Sequence, residues 1–419
     1  MKTLSMRSSI TTKSTIFLLS LVAFLTQASF VYPQTAATFP VIVVFDDTVP
    51  FPSFRGSYRA DARAALNPEA WNYLERGVVG AVQMLEARHG FRADHIYSAA
   101  LRGFAARLTA RQIDALESDR LVAYVEADGT MTVTARPTAA AAPQTLPWGI
   151  DRVDADISST LAGDGTGAVT NVNAYIIDTG IDTKHQDLNV KAHVNFAGGK
   201  NTDCHGHGTH VAGTVAAKDN TQDVVGVAPG APLSGVKVLG CGGSGTTSGV
   251  IKGVDWVTAN AAKPAIANMS LGGGVSTSLD DAVKRSADSG VFYSIAAGNE
   301  GTNACNSSPA RAGTHNGVMT TAATDSKDQE ASWSNYGNCV DIWAPGVSIL
   351  STRLKGGATT MSGTSMAAPH VGGTGALYLS SHTGASAATV EAALKEDALT
   401  LGTTSKDGRI ITLDYAGKF

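Results

Sequence analysis

The stretch "DCHGHGTHVAGT", residues 203–214, places His205, His207 and His210 beside Cys204. Two chemistries suit such a cluster: metal ligation, or one catalytic imidazole among structural neighbours. A zinc hydrolase wants two histidines one helical turn apart with an acid between them, whereas glycine and threonine fill the gaps here. The imidazole reading finds partners elsewhere in the chain. Asp178 ends the apolar run "AYIID", and Ser365 follows "MSGT". A serine hydroxyl becomes a nucleophile when an imidazole takes its proton and a buried carboxylate holds the tautomer of that imidazole. Asp178, His207 and Ser365 supply these parts in that order. Attack on a carbonyl then puts negative charge on its oxygen. Asn299 in "AAGNEG" and the Ser365 N–H at a helix start are donors suited to meet it.

Residues so distant in sequence meet only on a scaffold that gathers them. Beyond Trp148, short apolar runs such as "VNAYIID", "PLSGVKVLG", "AIANMSLG" and "VFYSIAAGN" alternate with helical patterns. That order implies an α/β fold, a mostly parallel sheet with helices on both faces. Sites on such sheets form at the carboxyl ends of the strands. Residues 39–135 read as a separate ferredoxin-like α+β domain of order βαββαβ, its last strand running through "LVAYVEADGTMTVTA". It holds no cluster of catalytic residue types. Residues 136–144, rich in alanine and proline, read as an extended joint. Residues 145–419 form the domain that carries the chemistry.

At the amino end, Lys2, Arg7 and Lys13 precede the apolar residues 16–25 and a Thr26-x-Ala28 end. This pattern is that of a secretory signal peptide over residues 1–28, and its apolar run falls short of the roughly 20 residues of a membrane span. A signal, a chemically bland domain and an exposed joint together describe an exported zymogen. With 43% hydrophobic and 16% charged residues, the 419-residue chain has the composition of a globular protein. A net charge of -4 without any basic stripe argues against nucleic acid as a partner. Neither a membrane nor a second subunit is expected, so the protein is read as a secreted monomer. Export favours disulfides for Cys204, Cys241, Cys305 and Cys339; four cysteines allow three pairings, of which neighbour with neighbour is the simplest.

The motifs "YIIDTGI", "HGHGTHVAGT", "NMSLGGG", "AAGN" and "SGTSMAAPHVGG" resemble those of the subtilisin-like serine proteases, the subtilases, and among these the proteinase K group. The resemblance spans roughly residues 145–419. It implies a broad-specificity endopeptidase with Asp178, His207 and Ser365 as triad and Asn299 in the oxyanion hole. The amino-terminal domain resembles the inhibitory propeptide of these enzymes, which implies self-cleavage in or near residues 138–144. The cysteine contexts resemble the aqualysin-like bacterial members, implying Cys204–Cys241 and Cys305–Cys339 bridges, each worth about 3–4 kcal/mol by loop entropy. Peptide and protein substrates and the chain's own propeptide are the implied partners. Ser270, Leu271, Gly272 and Gly273 with Ala296, Ala297 and Gly298 match the walls of the S1 pocket. No acid lies in these wall motifs, so an apolar or aromatic preference is expected. Gly243, Ser244 and Gly245 match an edge strand that pairs with the substrate backbone. Asp341 matches a structural calcium ligand, with carbonyls near Asn316 and Val318 as co-ligands and Asp151 and Asp154 as a weaker second site. No catalytic cofactor is implied.

The rivals fare worse. An α/β-hydrolase elbow wants a second glycine where "GTSMA" has alanine, and the order Asp, His, Ser differs from that fold's. A catalytically silent binding protein on this fold would have lost a triad member, and none is lost. A dinucleotide site at Gly243-x-Gly245 lacks its third glycine and ribose acid. His210 and His370 read as packing residues. His205 stands where relatives carry asparagine or another small polar residue, and its charge would disfavour protonation of His207.

Overall fold

The structure is a computed structural model that describes residues 37–48, 68–133, 136–140 and 144–419. The expected signal peptide, residues 1–28, lies outside the described residues. The amino-terminal domain consists of β1 (Thr38–Phe45), α1 (Pro68–His89), β2 (Ala93–Tyr97), β3 (Gly103–Thr109), α2 (Ala110–Glu117) and β4 (Val122–Ala127). Its four strands form one antiparallel sheet in the order β2-β3-β1-β4, the expected ferredoxin-like arrangement. The expected single last strand is broken. After β4 the strand is interrupted at Asp128 and Gly129, and the chain continues as β5 (Thr130–Val133), which joins a different sheet, and β6 (Arg136–Ala140). The expected joint is therefore partly a strand.

The larger domain begins with α3 (Trp148–Arg152), β7 (Asn173–Asp178), β8 (Val190–Asn195), α4 (His207–Ala216) and β9 (Leu233–Lys237). It continues through β10 (Ser244–Thr246), α5 (Thr247–Asn260), β11 (Ala265–Met269), β12 (Leu271–Gly273), α6 (Thr277–Asp288), β13 (Val291–Ala296) and β14 (Val318–Thr324). It closes with β15 (Ile342–Pro345), β16 (Ile349–Thr352), β17 (Ala358–Ser362), α7 (Thr364–Ser381), α8 (Ala387–Asp397), β18 (Leu399–Thr404) and β19 (Ile410–Leu413). Nine strands form one sheet, β18-β19-β15-β14-β13-β11-β7-β9-β8, parallel throughout except for the β18–β19 pair.

Strand periodicity explains why helices cover both faces. In β7, Ala174 and Ile176 join a core built with Val211 and Val215 of α4, Val371 and Leu377 of α7 and Leu394 of α8. Tyr175 and Ile177 point the other way, to Val250 and Val254 of α5 and Leu279 and Val283 of α6. The second core also takes in Ile42, Val44, Tyr97 and Leu101, so the amino-terminal sheet is seated on α5 and α6. Polar anchors fix that seat. The Ala99 and Ala100 N–H groups donate to Asp255 at 2.6 and 2.8 Å, and Asp128 takes Ser248 N–H (2.8 Å) and Ser248 Oγ (2.6 Å) at the start of α5. Glu126 meets Ser278 N–H at the start of α6, 3.1 Å away. Both carboxylates sit where helix dipoles favour negative charge.

Both expected disulfides are present, Cys204–Cys241 and Cys305–Cys339. One buried carboxylate has no compensating charge. Asp414 is fully buried, with Oδ2 receiving Thr374 Oγ1 (2.8 Å) and Oδ1 unpartnered. Burial pushes its pKa up to about 7, above the roughly 3.9 of an unfolded chain. The native state therefore binds the proton more tightly, and stability falls as pH rises from about 4 through about 7. In a Ser365→Ala background that prevents autolysis, Asp414→Asn should raise Tm relative to its parent by a margin that grows from pH 5 to pH 8. A pH-independent margin would contradict this assignment.

Candidate active site

The strand ends and helix starts of the parallel sheet meet at one edge. Asp178 is the last residue of β7 and His207 the first of α4; both are 0% exposed. His207 Nδ1 donates to Asp178 Oδ1 at 2.8 Å and stands 2.9 Å from Oδ2, while Thr179 N–H donates to Oδ1 at 2.6 Å. The carboxylate thus fixes the tautomer that leaves Nε2 as the basic nitrogen. That Nε2 is buried and has no hydrogen-bond partner among the described residues. This close approach requires glycine after the histidine, since a β-carbon on Gly208 would stand 2.1 Å from Gly180 O.

Ser365 is the second residue of α7, which packs against α4. Its hydroxyl donates to Ser270 O at 3.0 Å, and Ser270 Oγ donates back to Ser365 O at 2.8 Å. Pro369 explains the second bond. Four residues along α7, it has no N–H to give Ser365 O, so that carbonyl is left for Ser270. Asn299 Oδ1 receives Thr364 N–H (2.9 Å) and Thr364 Oγ1 (2.8 Å), which turns the amide Nδ2 edge away from Thr364. The preceding Gly298 has φ +103°, and a β-carbon there would stand 2.3 Å from Asn335 Nδ2.

A groove leads to Ser365, and the chain itself fills it. β5 lies between β10 and β12 as the middle strand of an antiparallel sheet. Ser244 and Gly245 pair with Thr132 and Met131, and Leu271, Gly272 and Gly273 pair with Val133, Thr132 and Met131. Val133 N–H donates to Gly243 O at 2.9 Å. The expected wall residues Gly272, Gly273, Ala296, Ala297 and Gly298 line one cavity of 290 Å³. Glu300 lines it too, with Oε2 receiving Asn335 Nδ2 at 2.9 Å. The expectation of an acid-free pocket was drawn from the wall motifs alone and overlooked this carboxylate, one residue past Asn299.

The histidine cluster separates. His210 Nε2 donates toward Ile349 O and Thr359 O (3.0 and 3.1 Å), and burial drives its pKa down to about 3. His370 Nδ1 donates to Met366 O at 2.8 Å, and burial lowers it to about 4. Cys204 is bonded to Cys241. The residue that sequence reasoning missed is Asp203. It is buried and receives His205 N–H, Gly206 N–H and Thr179 Oγ1 on Oδ1, and Thr209 N–H and Oγ1 on Oδ2. It serves as the cap that Gly206, without a side chain, leaves open at the start of α4. An acid just before a helix start was its available signal.

At the first expected calcium site, a cation of the chain itself already stands beside the carboxylate. Asp341 Oδ1 is paired with Lys395 Nζ at 2.6 Å, and Oδ2 receives Thr320 N–H at 2.8 Å. Lys395 also meets Glu391 Oε1 at 2.5 Å, so an ammonium already neutralises the carboxylates where the cation belongs. Asn316 and Val318 are left without a charged co-ligand for an ion. At the weaker site, Arg152 stands between Asp151 and Asp154 in sequence and pairs with Asp328 at 2.8 Å.

With this geometry, comparison with known proteins is decisive on family. Residues 171–413 match the subtilase family and residues 40–134 the peptidase inhibitor I9 family. The chain belongs to the subtilase family. It is 41% identical over 362 residues to the alkaline serine exoprotease A of Vibrio alginolyticus, covering 84% of this chain and 65% of that one. It is 45% identical over 315 residues to the extracellular serine proteinase of Thermus sp. (strain Rt41A), covering 73% of each. A crystal structure of a cold-adapted subtilisin-like serine proteinase superposes with a TM-score of 0.57 at 42% identity, covering 65% of this chain and 98% of that chain.

Lys395→Met should lower Tm, because it leaves Asp341 and Glu391 as buried like charges; with Lys395 itself 38% exposed, the loss should fall below the about 3–5 kcal/mol of a fully buried pair. Added calcium should then stabilise the variant more than it does the parent. An equal calcium increment in both would overturn the assignment of Lys395 as the resident cation.

Proposed function

We propose that the chain is a secreted serine endopeptidase of broad specificity, made as a self-processing zymogen. The observation that carries this reading is the buried Asp178–His207 pair beside a substrate groove that ends at Ser365. In the proposed reaction the Ser365 hydroxyl swings from Ser270 O to His207 Nε2 and gives up its proton there. Its oxygen attacks the peptide carbonyl, and Asp178 stabilises the imidazolium that forms. The new oxyanion is met by Asn299 Nδ2 and Ser365 N–H; an amide in this role supplies about 2.7–4 kcal/mol in a related protease. His207 then protonates the leaving amine, and water repeats the sequence on the acyl-enzyme. No cofactor is needed, because each transient charge has a partner within the chain.

Backbone pairing along β10 and β12 reads no side chains, which supports broad specificity. The small apolar walls favour apolar side chains at the residue before the cut bond, and Glu300 adds tolerance for a cationic end. Signal-peptide removal at residues 1–28 and export agree with relatives named extracellular. Among the described residues no helix is long and apolar enough to cross a membrane.

Residues 39–135 are the proposed inhibitory propeptide, residues 136–144 the processing joint and residues 145–419 the peptidase domain. Strand registers refine the expected cleavage point. β5 ends at Val133, paired with Leu271 next to Ser270, and β6 begins at Arg136, paired with Ser362 three residues before Ser365. The bond between these strand ends, Thr134–Ala135, is the proposed first cut; it shortens the propeptide by one residue and leaves the joint on the peptidase fragment, rather than falling within residues 138–144. Ser365→Ala should leave the two domains covalently joined, whereas wild type should yield a peptidase fragment beginning at Ala135 when sequenced within minutes of refolding. Fragments from Ser365→Ala, or a first fragment beginning beyond residue 137, would contradict this.

A further inference from the structure

Nothing in the triad chemistry uses His205. It sits between Asp203 and α4, with its ring centroid 6.3 Å from that of His207. Its N–H donates to Asp203 Oδ1 at 2.9 Å, so its backbone is tied to the carboxylate that caps the helix. One edge of the ring faces the groove. A β-carbon built on Gly243 would stand 3.0 Å from His205 Nε2 and 2.7 Å from Val133 Cγ2, so imidazole and isopropyl group converge on one glycine. Val133 is the second residue before the proposed cut. His205 Nδ1, by contrast, is buried with no hydrogen-bond partner among the described residues. Orphaned buried N–H groups are rarer than orphaned acceptors, so the neutral ring carries its proton on Nε2, toward the groove.

We propose that His205 sets the preference of the groove at the second residue before the cut bond, selecting side chains that accept a hydrogen bond, above all aspartate and glutamate. The inference rests on the protease reading given above. A carboxylate at the position of Val133 would accept from Nε2–H, and a charge-assisted bond of this kind is roughly twice as strong as a neutral one. Valine offers the ring nothing, so substrates that carry an acceptor displace the chain's own tail from this subsite.

The surrounding charges leave the opportunity open. Burial, then His207 on α4, hold the pKa of His205 below the ordinary histidine value; Asp178 on β7 and Asp203 in its own loop raise it, and Lys237 on β9 lowers it. Asp203 is fully engaged by the donors described above. Lys237 Nζ is held by Thr179 O (2.7 Å) and Leu239 O (2.8 Å). An incoming carboxylate adds a negative charge beside the ring and shifts it toward imidazolium as pH falls.

The test compares processed wild type with His205→Asn on peptides that differ only in aspartate or valine at this position. In wild type the kcat/KM ratio, aspartate over valine, should exceed that of the variant by about tenfold. It should also rise from pH 8 to pH 6, while the variant's ratio stays flat. A purely structural role would change both substrates alike and leave the ratio unmoved, which would overturn the proposal. A second measurement needs no variant: the peptide ADGTMTDT should inhibit wild type about tenfold more tightly than ADGTMTVT, and equal inhibition would also overturn it. If wild type cleaves neither substrate, the protease reading itself fails, an outcome distinct from an unmoved ratio.

Discussion

The hydrogen bond between His207 and Asp178 is the constraint around which the larger domain is organised. A carboxylate at 0% exposure is tenable only when donors surround it. Thr179 N–H and His207 Nδ1–H are those donors, and each depends on a different part of the fold. Thr179 is placed by β7, held between β11 and β9 as the third strand from one edge of the sheet. His207 is placed by the start of α4, which Asp203 caps and which Gly208 lets approach Gly180. The Cys204–Cys241 bridge ties that same loop to the segment leading into β10. Catalytic geometry and local stability are therefore one problem here, solved by the same few contacts.

The groove is the second organising feature. β10 and β12 leave a space one strand wide, and an unpaired edge is a general liability for a soluble protein. β5 fills that space in this structure, and the proposed recognition of substrate would draw on the same backbone pairing as the tail of the amino-terminal domain. Asp128 and Glu126, set at the starts of α5 and α6, aim the tail into the groove as β4 gives way to β5. A tail bound this way occupies the backbone groups of β10 and β12 that a further extended strand would need.

The placement of Asp178 at a strand end and of His207 and Ser365 at helix starts was legible in the sequence. Asp178, His207, Ser365 and Asn299 each need one side-chain type at a strand end or helix start, so pattern and chemistry point the same way. The two-sided sheet was legible from the alternation of apolar runs with helical patterns beyond Trp148, and the disulfides from the contexts of the cysteines. Long-range pairings were not. Lys395 neutralises Asp341 from a helix far along the chain, and no local spacing announces an ammonium there. Glu300 joins the pocket through Asn335. The break after β4 escaped because "ADGTMTVTA" alternates well enough to continue a strand; β5 changes sheets because β10 and β12 offer it a groove. Asp203 was overlooked because its role is capping, which becomes visible only once Thr179, Gly206 and Thr209 converge on it.

Labelling with a fluorophosphonate tests the central claim most directly, since such a reagent bonds only to a serine whose hydroxyl a neighbouring base has activated. If Asp178, His207 and Ser365 act as a triad, the processed enzyme takes up one equivalent, peptide mapping finds it on Ser365, and proteolysis stops in proportion to the label. His207→Ala protein should take up essentially none. Full proteolysis by labelled enzyme, or an adduct on another serine, would contradict the account.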